Sequence, residues 1–439
     1  MDKTSILSLS EQAARLRTPI VALGLLLVAT FAAQAQPSAP PATEPQAQQP
    51  PVQPRTTPPP PRPATPTTRQ GDLLTSLFGP QRSPFVRQRL TRVPDMFGDS
   101  IGPGATLAVT ELTIPGVSGE IDLPLTGALS RLNVSDFNKA LPVDRVFFNY
   151  NHFHNALRRS YDTETASGIV ADADNRSIDR YTFGFEQTFF DGQSSLELRL
   201  PLLGNSSFST TPDPLTPDAT TSVSTGAVGN VSLILKQLLY ADEYGSFAAG
   251  LGIETPTGDD TQARVNAARY TVENDSVHVH PWVGFLSHPD GNFFLNGFAH
   301  LDVPLNGNDL RRTGVGGTPS VSGPIGEFNE QTVLRLDLGG GVWLIGPYDT
   351  GDLRSLAGIV ELHYATALND TDRVTAIDGA TTVDVLSARN RFDVVNLTAG
   401  LQSQFFDGTF VRVAASAPLR QPDNRFFDAE VLFSVMQLY

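Results

Sequence analysis

Apolar and polar residues alternate along much of this chain. Tyr181, Phe183 and Phe185 fall on one parity, with Arg180, Thr182, Gly184 and Glu186 on the other. After Asp191-Gly192, Leu196, Leu198 and Leu200 alternate with Ser195, Glu197 and Arg199 up to Pro201. A period of two marks a strand with two unlike faces. Asp-Gly between two such runs is hairpin chemistry. Proline has no N–H to give to a ladder, so the return strand is expected to stop there. The unit recurs near Asp242 to Gly245 with Pro256, at Asp290-Gly291 with Pro304, and at Asp407-Gly408 with Pro418. The last stretch, FFDAEVLFSVMQLY, keeps Phe427, Ala429, Val431, Phe433, Val435 and Tyr439 in one register and Asp428, Glu430 and Ser434 in the other.

The pattern predicts strands at 143–154, 179–190, 194–201, 229–240, 246–255, 276–286, 293–303, 332–345, 355–366, 392–405, 409–417 and 426–439. Several have about 10 residues, enough to cross a bilayer at a tilt. Short turns alternate with long polar segments such as 204–225, 257–275 and 306–330. Phe189, Phe190, Phe293, Phe294, Phe405 and Phe406 crowd beside the short turns, where an interfacial girdle is expected. Charges lie deep within strands on the face opposite the apolar one. A soluble β-sandwich would put those charges on an outer sheet face; a barrel puts them in its lumen. The expected fold is therefore all-β, an antiparallel up-and-down transmembrane β-barrel of about 12 strands over 143–439. Pairing the last strand with the first would leave no edge in lipid.

Lys3, Arg15 and Arg17 precede the apolar run IVALGLLLVATFAA and the small-residue stretch AQA, so residues 1–35 are expected to be a cleaved secretory signal peptide. Residues 36–70 form a proline-rich linker, polyproline-like and unable to build a core. At about 3.1 Å per residue it reaches on the order of 100 Å when extended. Residues 71–142 are weakly periodic: ATLAVTELTI and GEIDLPL suggest short strands, LTSLF and SDFNKAL helical turns. That segment is expected either to stay periplasmic or to enter the lumen as a plug.

The formal charge of −15 argues against nucleic acid as a partner. The chain has no cysteine, which removes disulfides, thiolate metal sites and a cysteine nucleophile. There is no G-x-S-x-G elbow, no H-E-x-x-H and no phosphate-cradling loop, so no enzyme and no cofactor are expected. Asp172, Asp174 and Asp179 lack the glycine and closing glutamate of a calcium loop and suggest an acidic outer loop.

The residues expected to line the lumen are Arg180, Glu186, Glu197, Arg199, Arg335, Asp337, Glu361, His363 and Arg412, with Lys236 and Glu254. Six of the seven histidines fall near the outer end. A bulge at the SHPDGN turn would set His280 opposite His300 and His278 opposite Asp302. Such a cluster is either a polar wall or a transition-metal site.

Two resemblances bear on location. Tyr439, Val435, Phe433 and Val431 resemble the C-terminal signature of bacterial outer-membrane proteins, from which Gln437 departs. VPDMFGD (93–99) followed by LPVDRVFFNYNHFHNAL (141–157) resembles an uncharacterised family of bacterial outer-membrane barrels, distantly similar to phenol-degradation-type and transporter-like barrels. The resemblance covers about residues 90 to 439 and implies an architecture and an outer-membrane location. It also implies outer-membrane lipid and the barrel-assembly machinery as partners, the latter through the C-terminal strand. It brings no catalytic residues. The expected function is a narrow channel or transporter for small solutes. A structural envelope anchor with the proline-rich tether reaching the cell wall is the alternative, and an outer-membrane hydrolase a third possibility.

Overall fold

The computed structural model describes residues 90–439 apart from 100, 103, 112–116, 166–167, 210–221, 266–267, 290, 315–321, 347–352, 379–380, 388, 406–407 and 422–423. The signal peptide, the proline-rich linker and the LTSLF turn lie outside the described residues.

An N-terminal hairpin, β1 (Ala105–Glu111) and β2 (Val117–Leu123), precedes a one-turn helix α1 (Thr126–Ser130). Twelve strands then form a ring: β3 (Arg145–Thr165), β4 (Gly168–Phe189), β5 (Ser194–Gly204), β8 (Ser232–Asp242), β9 (Gly245–Glu254), β12 (His278–Ser287), β13 (Phe293–Pro304), β16 (Val333–Ile345), β17 (Leu353–Ala367), β20 (Asp393–Phe405), β21 (Thr409–Pro418) and β22 (Ala429–Leu438). Each pairs antiparallel with the next, and β22 pairs with β3 from Ala429↔His154 to Leu438↔Arg145, closing the ring. The fold is a closed twelve-stranded antiparallel β-barrel, and every strand expected from the alternation has its counterpart in it.

The two faces of the wall are inverted relative to a water-soluble protein. Leu196, Leu198 and Leu200 point outward at 44 %, 42 % and 38 % exposure, while Glu197 and Arg199 between them are buried inside. Leu235, Leu336, Leu338, Val360, Leu362, Leu397, Leu401, Val413 and Val431 continue the exposed apolar belt around the ring. A continuous apolar belt outside buried charge is the signature of a barrel that crosses a membrane.

Four sequence expectations need correction. Phe190 and Phe293 are exposed beside short turns, but Phe294 faces inward, buried against Trp343 at 5.7 Å between ring centroids. Strand β5 runs on past Pro201 to Gly204, because the proline carbonyl still accepts from Gly229 N at 2.9 Å. The acidic stretch 172–179 is not a loop but part of β4, whose outer half rises beyond the belt together with β3. Finally, β12 and β13 pair without a bulge, so His278 stands opposite Pro304 and Trp282 opposite His300. The parity is unchanged, and His278, His280, His300 and Asp302 still face inward.

The long connections carry further strands: β6 (Phe208–Ser209), β7 (Ser222–Thr225), β10 (Thr261–Val265), β11 (Ala268–Val272), β14 (Asn308–Gly314), β15 (Gly323–Phe328), β18 (Arg373–Asp378) and β19 (Thr381–Ser387). β15, β14, β11, β10, β7 and β6 form a six-stranded sheet. β18 and β19 extend the barrel sheet through the N-terminal hairpin, in the order β18-β19-β1-β2-β3. The two layers share an apolar core including Leu107, Leu123, Tyr270, Val272, Leu310, Phe328 and Val385. A sandwich built from the long loops and the hairpin thus covers the outer mouth.

Candidate functional site: the occupied lumen

Twelve strands about 4.8 Å apart and tilted by about 40° make a ring roughly 24 Å across between backbones. Inward side chains of about 5 Å on each side leave on the order of 14 Å, room for two chain segments. Two segments of this chain lie there. The first, from Leu90 to Gly104, starts among Leu286, Phe294 and Trp343 at the short-turn end. It reaches Phe153, Ile178 and Leu203 near the mouth through Ile101. The chain then makes the β1–β2 hairpin and returns from Leu125 to Val143. The passes bind each other through Met96 N to Asn138 O at 2.8 Å, Phe137 N to Phe97 O at 3.3 Å and Gly102 N to Ala128 O at 2.8 Å.

The passes meet the wall through charge. Near the short-turn end Asp95 lies 3.1 Å from Lys139 Nζ, 2.7 Å from Arg145 Nη1 and 3.4 Å from Arg412 Nη1. Arg145 also reaches Glu186 at 2.8 Å and Glu197 at 2.7 Å. Glu197 holds Arg199 at 2.5 Å, and Glu186 holds Lys236 at 3.0 Å. The cationic heads form a chain in which each carboxylate faces at least two cations, so no buried carboxylate of the chain is left unpaired.

At mid-height Glu361 accepts from Phe97 N at 2.8 Å and Gly98 N at 3.1 Å. Gly98 has φ +76°, and a Cβ there would stand 1.9 Å from Asp136 Oδ1, so this close approach of the two passes requires glycine. Asp99 N donates to Asp136 Oδ1 at 3.2 Å, and Asn396 donates to Asp99 at 2.5 Å. Arg180 stands 3.4 Å from Asp136. Asp337 accepts from His363 Nδ1 at 2.8 Å.

Towards the mouth Arg131 binds Asp302 at 2.9 Å and pairs with Glu330, while Leu132 N donates to Glu254 at 2.8 Å. His278 Nδ1 lies 2.7 Å from Asp302 Oδ1. His280 and His300 face each other at 6.1 Å between ring centroids, and none of their ring nitrogens has a hydrogen-bond partner. Asp302 is thus committed to Arg131 and His278. Among the described residues, the groups whose ligand atoms converge are Asp99–Asp337–His363 and Glu273–Asp275–Asp309.

The hairpin is tethered at the mouth. β1 pairs with β19 from Ala105↔Ser387 to Glu111↔Thr381, and β2 pairs with β3 from Val117↔Thr163 to Ile121↔Arg159. Asp122 accepts from Arg158 N at 2.8 Å and Thr106 Oγ1 at 2.9 Å; burial pushes its carboxyl above the usual range against these bonds. On β19, burial pushes Asp384 upward, but Arg373 and Thr375 outweigh it and hold the carboxyl low.

Arg180, Glu186, Glu197, Arg199, Arg335, Asp337, Glu361, His363 and Arg412 are each at most 6 % exposed. Solvent filling an open pore would leave such side chains accessible. Here the lumen passes cover them, with cavities of about 10 and 20 Å³ among those between passes and wall. Alternation identified the wall residues but not their partners. Asp95, Asp136, Lys139 and Arg131 sit in irregular backbone; the available signal was charged residues and Gly98 inside an aperiodic segment.

Fold and lumen together define a closed membrane β-barrel occupied by its own N-terminal segment. No protein-family model and no curated protein matches the chain. Among solved structures, it is similar to an outer membrane channel from Pseudomonas putida F1 at 12 % identity and a TM-score of 0.40, over 69 % of this chain and 97 % of that one. The toluene transporter TodX from Pseudomonas putida is similar at 9 % identity and a TM-score of 0.35, over 78 % and 98 %. The NanC porin follows at 8 % identity and a TM-score of 0.34, over 67 % and 99 %.

Proposed function

We propose that this protein is an outer-membrane channel for small polar solutes, held closed by the segment from Leu90 to Val143. The observation that carries the proposal is the chemistry of the contact between that segment and the wall. A barrel that served only as an anchor gains nothing by burying charge, because apolar packing of the same volume is as stable or more so. Here Asp95 and Arg131 face Arg145, Arg412 and Asp302 across the interface. Ion pairs of this kind are exchanged for water when the segment shifts, and what remains is a charged, wettable passage. Residues 1–35 direct export, and the C-terminal strand presents Val431, Phe433, Val435 and Tyr439 to the assembly machinery.

Planar-bilayer recordings test the proposal. The mature chain is expected to conduct weakly, and a chain lacking residues 36–140 to conduct in larger steps. Equal conductance would remove the segment's gating role. Silence of both correctly folded forms would remove the channel and favour the envelope anchor.

A further inference from the structure

One group of side chains at mid-height joins the first lumen pass to two adjacent wall strands and sets an imidazole among carboxylates. Asp99 comes from the pass, Asp337 from β16 and His363 from β17, and one ligand atom of each lies within 4.8 Å of the other two. All three are buried. They line a cavity of about 10 Å³ together with Asn396, Arg335 and Tyr364. That volume is close to the least that admits one water or one ion.

Two further atoms at this cavity lack partners. Asp337 Oδ2 and Asn396 Oδ1 are buried oxygens with no hydrogen bond, on residues 5 % and 2 % exposed. A buried oxygen without a donor is destabilising, and a cation in the cavity would satisfy both. The histidine is also set up for one. Its Nδ1 points at Asp337 Oδ1, 2.8 Å away, and Asp99 Oδ1, 3.7 Å away, while Nε2 faces Glu361 Oε2 at 3.2 Å. Metal-bound imidazoles commonly turn their far nitrogen to a carboxylate, which fixes the ring and the tautomer. Glu361 is itself fixed by Phe97 N and Gly98 N. Carboxylates Asp99, Asp136, Asp337 and Glu361 meet here, with Arg180, Arg199 and Arg335 around Asp136 and Arg412 near Glu361.

We propose that Asp99, Asp337 and His363 bind one divalent transition-metal ion of the zinc type, which fastens the first lumen pass to β16 and β17. One imidazole nitrogen, two carboxylates and an amide carbonyl form a mixed nitrogen–oxygen set suited to zinc and its first-row neighbours. On binding, Nδ1 releases its proton and donates its lone pair to the metal, and Nε2 keeps its proton facing Glu361. Asn396 supplies Oδ1.

The test is zinc binding by the purified full-length barrel in detergent after chelator treatment, with folding checked by heat-modifiable migration. Wild type is expected to take up one Zn²⁺ per chain. Asp337→Asn and His363→Gln are expected to lose that uptake, and Glu361→Gln to weaken it by about 10–100-fold. Glu273→Gln, in the outer acidic group, is expected to leave it unchanged. Absence of stoichiometric uptake by wild type, or full uptake by folded Asp337→Asn and His363→Gln, overturns the proposal. Copper(II) EPR on wild type alone covers the case in which the variants misfold. Coupling to one imidazole nitrogen supports the site, and its absence overturns it. Both measurements read the metal and not conduction, so they stand apart from the channel proposal.

Discussion

Arg145, the first residue of the first barrel strand, reaches back fifty positions to Asp95 in the lumen, with 2.7 Å between Nη1 and Oδ2. Asp95 also faces Lys139 and Arg412, so one carboxylate joins both lumen passes to β3 and β21, the strands on either side of β22. Asp95→Ala leaves three buried cations short of a partner and is expected to cost about 3–5 kcal/mol. Lys139→Ala in the same background should cost less than it does alone, because the pair is coupled. Denaturant midpoints of the four species give the cycle, and costs that add within about 0.5 kcal/mol would show the two residues to be independent.

The wall makes an opposite demand. Leu198 points to lipid and Phe183, packed on Phe148 at 5.1 Å, shares its side of the sheet. Replacing either with Arg near mid-membrane is expected to cost about 2–4 kcal/mol. The fraction of folded, heat-modifiable barrel in bilayers measures it, and unchanged insertion of both variants would reverse the assignment of faces.

How far the sequence carried depends on which rule each part obeys. Leu196 to Leu200 obey the period of two because lipid and lumen impose opposite polarity on neighbouring residues, and all twelve wall strands were legible for that reason. Strands β10, β11, β14 and β19 were not, since Ala263, Tyr270, Leu310 and Val383 pack into a small sandwich within segments that look polar on average. The lumen passes follow no period at all. Their conformation is set residue by residue by wall groups such as Glu361, hundreds of positions away in the chain, so only the resemblance of VPDMFGD marked the segment as part of the barrel.

Gly98→Ala places a methyl against Asp136 on a backbone at φ +76°. The left-handed conformation alone costs about 1–2 kcal/mol, and the passes must separate to relieve the contact. Limited proteolysis is expected to cut the first pass several-fold faster while the wall remains resistant. Unaltered cleavage would mean that the passes are held by the wall alone.

Thr110 and Thr382 face each other across β1 and β19, and the chain contains no cysteine to interfere. A Thr110→Cys, Thr382→Cys pair falls within disulfide reach, because directly paired antiparallel residues stand about 4.5–5.5 Å apart. Oxidation is expected to abolish opening induced by low urea in bilayer recordings, and reduction to restore it. Opening that survives oxidation would place the motion inside the lumen, with the hairpin left in position.

In the chain lacking residues 36–140, Arg199→Glu or Arg335→Glu is expected to shift ion preference towards cations, because charges lining a pore set its selectivity. Both residues face inward from separate strands. Reversal potentials in a salt gradient measure the shift, and identical potentials would mean that neither guanidinium borders the conducting path.

The hairpin stands beyond one end of the ring, while Leu90 and Val143 lie at the other. The seam that shuts the cylinder joins β22 to β3. The topology resembles a casting around a mandrel: the hairpin and its two stems run through the ring that the staves close. A cylinder shut without them has no route by which to thread the finished hairpin. Residues 90–142 supplied as a separate polypeptide are expected to enter the lumen of a chain lacking them before the seam zips, and not after.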